Sequence, residues 1–480
     1  MMALLLIILP LLAALAAAAW PWNRTRPWFL PATGLAHGAI AGVLLVGGRS
    51  GPGTAWLGFD AVARATLPAV SLLFVVCAFY GVSYLALRAE RGNRIFVSCL
   101  LALLGLLCLA LQARHLGLYW IAIEGATLAT VPLLHFNRSQ RAYEATWKYL
   151  LVGGTGIALS LLGTFFLGYA SLFAQGGGDL TFVALAQHGG ELSRPWVRAA
   201  WILMLVGYGT KMGLAPMHTW KPDAYGEASG MVGALLAGGL TTVAFVGLLR
   251  VKQVVTAAGE GDLAVRTLMT LGLLSMAVAA LFLLSARHFK RMLAYSSVEH
   301  MGILGIGAAL GGAGLWAAFF HVWANGLTKG ALFLSAGNLR RALGDGDPSE
   351  ASGLAAIVPW STRVFVTGIF AATALPPFAP FFSELGIVRA AFASGHAGIG
   401  VGFLACLLLA FCGLTRRTFA VADGRPVPGA RGQAEPYRDS AAVLVPPLLL
   451  LAISIYLGLF TPQLLRDTWA AAVAALEAVP

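Results

Sequence analysis

Arg198-Ala-Ala-Trp201-Ile-Leu-Met-Leu-Val-Gly207-Tyr-Gly-Thr-Lys211-Met-Gly-Leu-Ala-Pro216-Met217 is the stretch whose reading decides the fold. It has the length and apolar character of a helix that crosses a bilayer, about 20 residues. It also holds a lysine and a proline, which a simple membrane anchor has no use for. Thirteen further apolar runs surround it, so fourteen spans are expected in all, near 3–20, 28–47, 66–87, 95–112, 115–134, 147–172, 198–217, 228–249, 262–286, 292–311, 313–336, 361–392, 396–415 and 442–462. Backbone groups must be satisfied within the membrane, and Leu/Ala-rich runs lack the alternation of a barrel strand. The expected fold is therefore all-α, a polytopic bundle of about 14 helices.

Composition agrees. Apolar side chains make up 59% of the 480 residues and charged ones 11%, whereas a water-soluble domain carries about 25% charged residues. The net charge of +12 suggests nucleic acid at first sight, but its placement argues otherwise. With the N-terminus outside, the loops expected on the cytoplasmic side hold 19 of the 32 Lys and Arg, among them Arg88, Arg91, Lys221, Lys290, Arg425 and Arg431. That asymmetry is the positive-inside rule, and it sets both termini on the periplasmic face of an inner membrane. Nucleic acid is not an expected partner; the lipid bilayer is. Cys77, Cys99, Cys108, Cys406 and Cys412 fall in apolar spans without CxxC spacing, so they read as packing residues and not as Fe–S ligands or disulfides.

The polar connections 173–197, 340–360 and 416–440 are each too short to fold alone. Ala3–Trp20 lacks a basic lead and reads as a retained first helix. After Pro462 a short amphipathic stretch to Pro480 is expected. A faint repeat runs through the chain. Trp147-Lys148-Tyr149 and Phe289-Lys290-Arg291 each open a span, and Leu214-Ala-Pro216 and Leu375-Pro376-Pro377 each put proline inside one. Interrupted helices in two halves point to an ion site near the midplane. The division expected is 1–94 (N-terminal helices), 95–250 and 262–417 (two inverted five-helix halves with broken helices), and 418–480 (loop and final helix).

A charged residue at the bilayer centre costs about 2.5–3.5 kcal/mol, so each one needs a reason. Glu124, Lys211, Lys329 and Glu384 all stand within spans, and polar His218, His300, His321 and Asn325 join them. Pairing to hold helices together would suit Glu124 with Lys211. A buried pair is rarely net stabilising, however, and eight such groups exceed what gluing helices requires. His321, Asn325 and Lys329 recur at i, i+4, i+8 and share one helix face, as a proton relay needs. Neither an HExxH nor a P-loop nor a GxSxG occurs in a context that would support catalysis, and no metal or cofactor site is expected.

Three longer motifs carry a family resemblance. They are Gly209-Thr-Lys211-Met-Gly-Leu-Ala-Pro-Met-His-Thr-Trp220-Lys-Pro-Asp223-Ala, Lys290-Arg-Met-Leu-Ala-Tyr-Ser-Ser-Val298-Glu-His-Met-Gly302 and Leu327-Thr-Lys-Gly-Ala-Leu-Phe-Leu-Ser-Ala-Gly337-Asn. From about residue 95 to 390 the chain resembles the antiporter-like membrane subunits of respiratory complex I, group 4 hydrogenases and multisubunit Na+/H+ antiporters. Ser-Val-Glu299-His-Met-Gly and Ile123-Glu124-Gly-Ala-Thr-Leu look most like the component F branch of hydrogenase-4-type complexes.

The resemblance implies that Glu124 is the fifth-helix glutamate and Lys211 the lysine of the broken seventh helix. It implies that the two pair, and that the lysine passes its proton on when the pair re-forms. His321 and Lys329 match polar positions of the eleventh helix, and Glu384 the terminal acid or lysine of the broken twelfth. The chain departs from the family where Thr242 replaces the usual eighth-helix lysine, where Asn325 replaces a common His, and at Tyr225-Gly-Glu227-Ala-Ser-Gly. At Thr242 two readings stay open: water and His300 bridge the gap, or the subunit couples conformationally. The function implied is proton translocation driven by a partner oxidoreductase, with other membrane subunits and a peripheral redox arm as partners and no redox cofactor in this chain. Na+/H+ exchange and a non-conducting scaffold are the alternatives.

Overall fold

The computed structural model describes residues 2–48, 53–172, 174, 175, 177–344, 346–424 and 437–478; Arg425, Arg431 and Pro480 lie outside the described residues. The chain opens with α1 (Met2–Ala19), α2 (Phe29–Val46), α3 (Ala61–Ala86), α4 (Arg94–Gln112), α5 (Leu116–Leu134) and α6 (Gln140–Ser171). A short α7 (Phe182–Gln187) precedes α8 (Arg194–Met212), α9 (Lys221–Glu227) and α10 (Gly230–Leu235). A π-helical turn, Leu236–Leu240, carries α10 into α11 (Thr241–Val255), and a second one leads to α12 (Gly261–Ser285). Then come α13 (Phe289–Leu310), α14 (Gly312–Ala342), α15 (Pro359–Ala372), α16 (Ala379–Ala393), α17 (Ala397–Ala422), α18 (Ala441–Leu459) and α19 (Gln463–Glu477). Among the described residues extended pairing is confined to single bridges, Leu57 with Ala113 and His115 with Thr181. The all-α polytopic expectation holds.

Nine stretches among the described residues are long and apolar enough to cross a bilayer, and one of them, Gly230–Ser285, contains both expected spans 228–249 and 262–286. The expected spans missing from that set are 198–217, 292–311, 313–336 and 361–392. Their shortfall has a physical reason: these are the helices that carry buried polar groups or break midway. They are also shielded. α13 and α14 are buried along nearly their whole lengths, while rim helices turn Leu12, Leu15, Leu151, Phe165 and Leu408 outward. An apolar exterior around a polar-bearing core suits lipid, not water.

The span expected at 361–392 is two helices, α15 and α16, with Pro376 and Pro377 in the gap between them. The span 198–217 likewise ends early, at Met212, and resumes as α9. Gly213 makes the first break with a left-handed φ of +82°. Its N–H and that of Leu214 both return to the Gly209 carbonyl, at 2.8 and 2.9 Å, closing the helix end. Ala215 N–H then donates to Ser275 Oγ at 2.8 Å. At the second break Leu375 N–H reaches back to Phe370 O at 3.1 Å, and Ala379 N–H donates to Ser454 Oγ at 3.4 Å. At each interruption these backbone groups are thus met by protein, as an apolar surround demands.

Close helix approach rests on glycine. At Gly302 of α13 a Cβ would lie 2.5 Å from the Gly272 carbonyl of α12, and at Gly272 one would lie 2.8 Å from the Gly302 carbonyl. Gly42 of α2 has nothing within 4 Å. Gly302→Leu should therefore force α12 from α13 at an overpacking cost of about 1–3 kcal/mol or more, and Gly42→Leu should cost almost nothing. Thermal unfolding of the two variants in detergent checks this; equal midpoints would contradict the packing described.

Candidate functional site

The last turn of α8 carries Lys211, which is fully buried. Trp220 Nε1 donates to the Thr210 carbonyl at 2.8 Å and so ties the turn to the segment beyond the break. The Lys211 ammonium faces the Tyr149 ring of α6, 4.9 Å from its centroid. Gly153 leaves the room: a Cβ there would lie 2.8 Å from Nζ. Tyr149 Oη is in turn hydrogen-bonded to Thr130 Oγ1 at 2.7 Å. Among the described residues Nζ itself has no hydrogen-bond partner, and neither has Glu124 Oε2 on α5. The expected Glu124–Lys211 pair is thus brought into one neighbourhood and feels a mutual electrostatic pull, but it is not a contact ion pair. The ammonium rests on the π-face of α6 instead, which favours cations. His218 is buried in the first break beside the stacked Phe282 and Tyr295 rings, its Nδ1 unpartnered.

A second cluster joins α13, α14 and α16. Lys329 Nζ donates to Ser296 Oγ at 2.5 Å. His300 Nδ1 meets His321 Nε2 at 3.0 Å, and His321 Nδ1 meets Ser383 Oγ at 2.9 Å. The Ser383 hydroxyl donates to the Pro380 carbonyl at 3.0 Å, so its oxygen accepts from His321 Nδ1–H. With neutral rings His321 Nε2 accepts from His300 Nδ1–H, and His300 Nε2 is left over, with the Ala372 backbone also acting on the ring. That nitrogen is buried without a partner. The result is a directional wire from α13 into the first turn of α16. Glu384 stands beside it, Oε1 3.8 Å from His300 Nδ1, with both carboxyl oxygens unpartnered. His300, His321 and Glu384 could offer three ligand atoms within 4.8 Å of one another to a cation. The two imidazoles satisfy each other, however, and Lys329 acts on all three groups, which opposes a divalent ion there.

Asn325 has a different part. Its Nδ2 donates at 3.2 Å to the Ala237 carbonyl in the π-helical turn, where Gly238 and Gly326 nearly touch. A carboxamide carries no titratable proton, so Asn325 ties α14 to α10 and α11. Thr242 Oγ1 donates to Gly238 O of its own helix at 2.8 Å, so its hydroxyl proton is already committed.

Three charged residues were missing from the expected set. Glu299 is buried on α13 within electrostatic reach of Lys329 and Glu384; it was visible in its motif yet assigned no part. Lys221 and Lys290, expected in cytoplasmic loops, are buried instead. The reason is that α9 turns back into the bundle and its ends need partners. Lys290 Nζ donates to Gly226 O and Ala228 O at 2.7 and 2.6 Å, and Lys221 Nζ donates to Met212 O at 2.6 Å. Both ammonium groups sit at helix C-terminal carbonyls, the negative end of the helix dipole. A lysine directly after a proline-broken span was the available signal for Lys221.

The model of the NADH:quinone oxidoreductase/Mrp antiporter transmembrane family matches residues 113–409, a range that contains every group named above from Glu124 to Glu384. The hydrogenase-4 component F homolog of Methylacidiphilum infernorum is 34% identical over 79% of this chain and 81% of its own. The NADH-quinone oxidoreductase subunit N of Desulforudis audaxviator is 30% identical over 97% of both. In three dimensions a chain of the Mrp complex from Dietzia sp. superposes with a TM-score of 0.86 at 22% identity, covering 99% of this chain and 97% of that one.

An ammonium buried without a counter-charge destabilises the fold that holds it. Lys211→Met, apolar and of similar length, should raise the thermal midpoint in detergent, because it removes an unpaired buried group whose burial costs about 1–3 kcal/mol or more. A lowered midpoint would show that the lysine is a structural tie.

Proposed function

The chain belongs to the NADH:quinone oxidoreductase/Mrp antiporter transmembrane family, and from that premise we propose that it is the proton-translocating membrane subunit of a redox-driven pumping complex. The observation that carries the reading is the row of buried titratable groups with unpartnered atoms: Lys211 on Tyr149, the His321–His300 pair ending on an open nitrogen, and Glu384 beside it. Groups in such a row exchange protons because none is locked in a permanent salt bridge.

Glu124 and Lys211 form the entry pair. Lys211 stands apart from Glu124 on the Tyr149 face, in room that Gly153 leaves, and re-pairs with Glu124 as the proton passes. Lys329, His300, His321 and Glu384 form the second station, with His218 lining the first break and Asn325 fixing the spacing of α14. These stations fall in the two halves, 95–250 and 262–417, each holding one broken helix. Carrying one charge against 100 mV costs about 2.3 kcal/mol. The energy comes from a peripheral redox arm through neighbouring membrane subunits, since this chain is read as having no redox centre of its own. The chain sits in the inner membrane with both termini periplasmic; the excess of basic residues in the loops set on the cytoplasmic side persists once Lys221 and Lys290 are withdrawn.

The Glu384 carboxylate, with both oxygens unpartnered, favours one second reading, exchange of Na+ for H+, since carboxylates suit Na+ better than lysines do. A Na+ requirement for proton flux in reconstituted vesicles would decide for it. For the leading reading, Lys211→Ala or Glu124→Ala in the reconstituted complex should abolish proton uptake while electron transfer by the detergent-solubilised partners survives. Uptake at the wild-type level in both would rule it out.

A further inference from the structure

Lys221 opens α9, and its side chain has no exposure to solvent. The stem folds back over Gly213, where a Cβ would lie 2.6 Å from Lys221 Cδ and 3.0 Å from Nζ. Glycine is thus required at 213 twice, for its positive φ and for this passage. Nζ donates to the Met212 carbonyl, next in sequence to Lys211, and faces the Tyr225 ring at 5.5 Å. No carboxylate pairs with it among the described residues. A surface lysine that caps a helix end is ordinary. One sealed from water on a single carbonyl, with two of its three protons left over, is not.

The bond to Met212 ties it to the turn that carries Lys211, and the second station acts on it from the other side. His218, His300 and Lys329 all lie within electrostatic reach of Lys221. On the other route across the core, Thr242 is bonded within its own helix and Asn325 cannot titrate. We propose that Lys221 carries the proton between Lys211 and Lys329, filling the place that Thr242 leaves without a titratable group. In each passage one proton leaves the Lys211 ammonium for the neutral amine of Lys221, and one leaves the Lys221 ammonium for the amine of Lys329. Lys221 ends as it began. The Met212 carbonyl holds it throughout, because an amine N–H donates as an ammonium N–H does.

The inference rests on the translocation reading above, and the test separates the two. Lys221→Gln keeps a donor at the break but has no proton to give; Lys221→Arg keeps donor and charge but does not release its proton in a protein. Each variant complex is reconstituted, and subunit content, electron transfer and protons moved per electron are measured. The expected result is assembled complex with electron transfer in both and loss of this subunit's proton uptake in both. Wild-type uptake with Gln would make Lys221 a helix cap, and wild-type uptake with Arg would make it a fixed cation; either overturns the inference. So does failure of both variants to assemble, which would show a structural prop. Wild-type complex that transfers electrons without proton uptake would instead overturn the translocation reading itself.

Discussion

A bilayer offers no water to a broken helix or a buried charge, and the rest of this structure depends on that constraint. Two helices break inside the bundle, and protein answers groups that the breaks free: the Gly209 carbonyl by Gly213 and Leu214, Ala215 N–H by Ser275, the Met212 carbonyl by Lys221, the end of α9 by Lys290. The breaks are affordable only in the centre, so α13 and α14 must be walled off from lipid by the apolar rim. Glycine-mediated contacts such as Gly272 with Gly302 give the density that makes the wall tight.

The same constraint separates stability from function. Where the fold needs a cation it gives it a carbonyl, as at Lys290. Where it leaves one without a hydrogen-bond partner, as at Lys211, the fold loses stability and keeps a group free to change partners. Glu384 with two unpartnered oxygens and His300 with an open Nε2 belong to the second kind. Thr242 belongs to the first, since its hydrogen bond goes to a helix carbonyl, while Asn325 gives Nδ2 to a carbonyl and leaves Oδ1 unpartnered.

Much of this was legible in the sequence. Apolar runs gave the spans, and prolines at 216, 376 and 377 marked the breaks because they remove backbone donors. The price of a charge in lipid singled out Glu124, Lys211, Lys329 and Glu384. What could not be read was set by tertiary contact. Lys221 and Lys290 looked like loop cations because a local pattern cannot show that α9 turns inward. The His300–His321 bond joins residues on different helices, and its direction depends on Ser383 from a third. Glu124 and Lys211 were expected as a pair by charge, whereas the missing side chain of Gly153 and the face of Tyr149 decide where the ammonium rests.

The central claim is that protons cross the core of this chain. The most direct measurement is protons moved per electron by the reconstituted complex carrying Glu384→Gln, an isostere that keeps the volume of the second station but cannot ionise. The account predicts an assembled complex with normal electron transfer and loss of the proton flux that this subunit contributes. Undiminished flux would contradict it and leave the chain a scaffold.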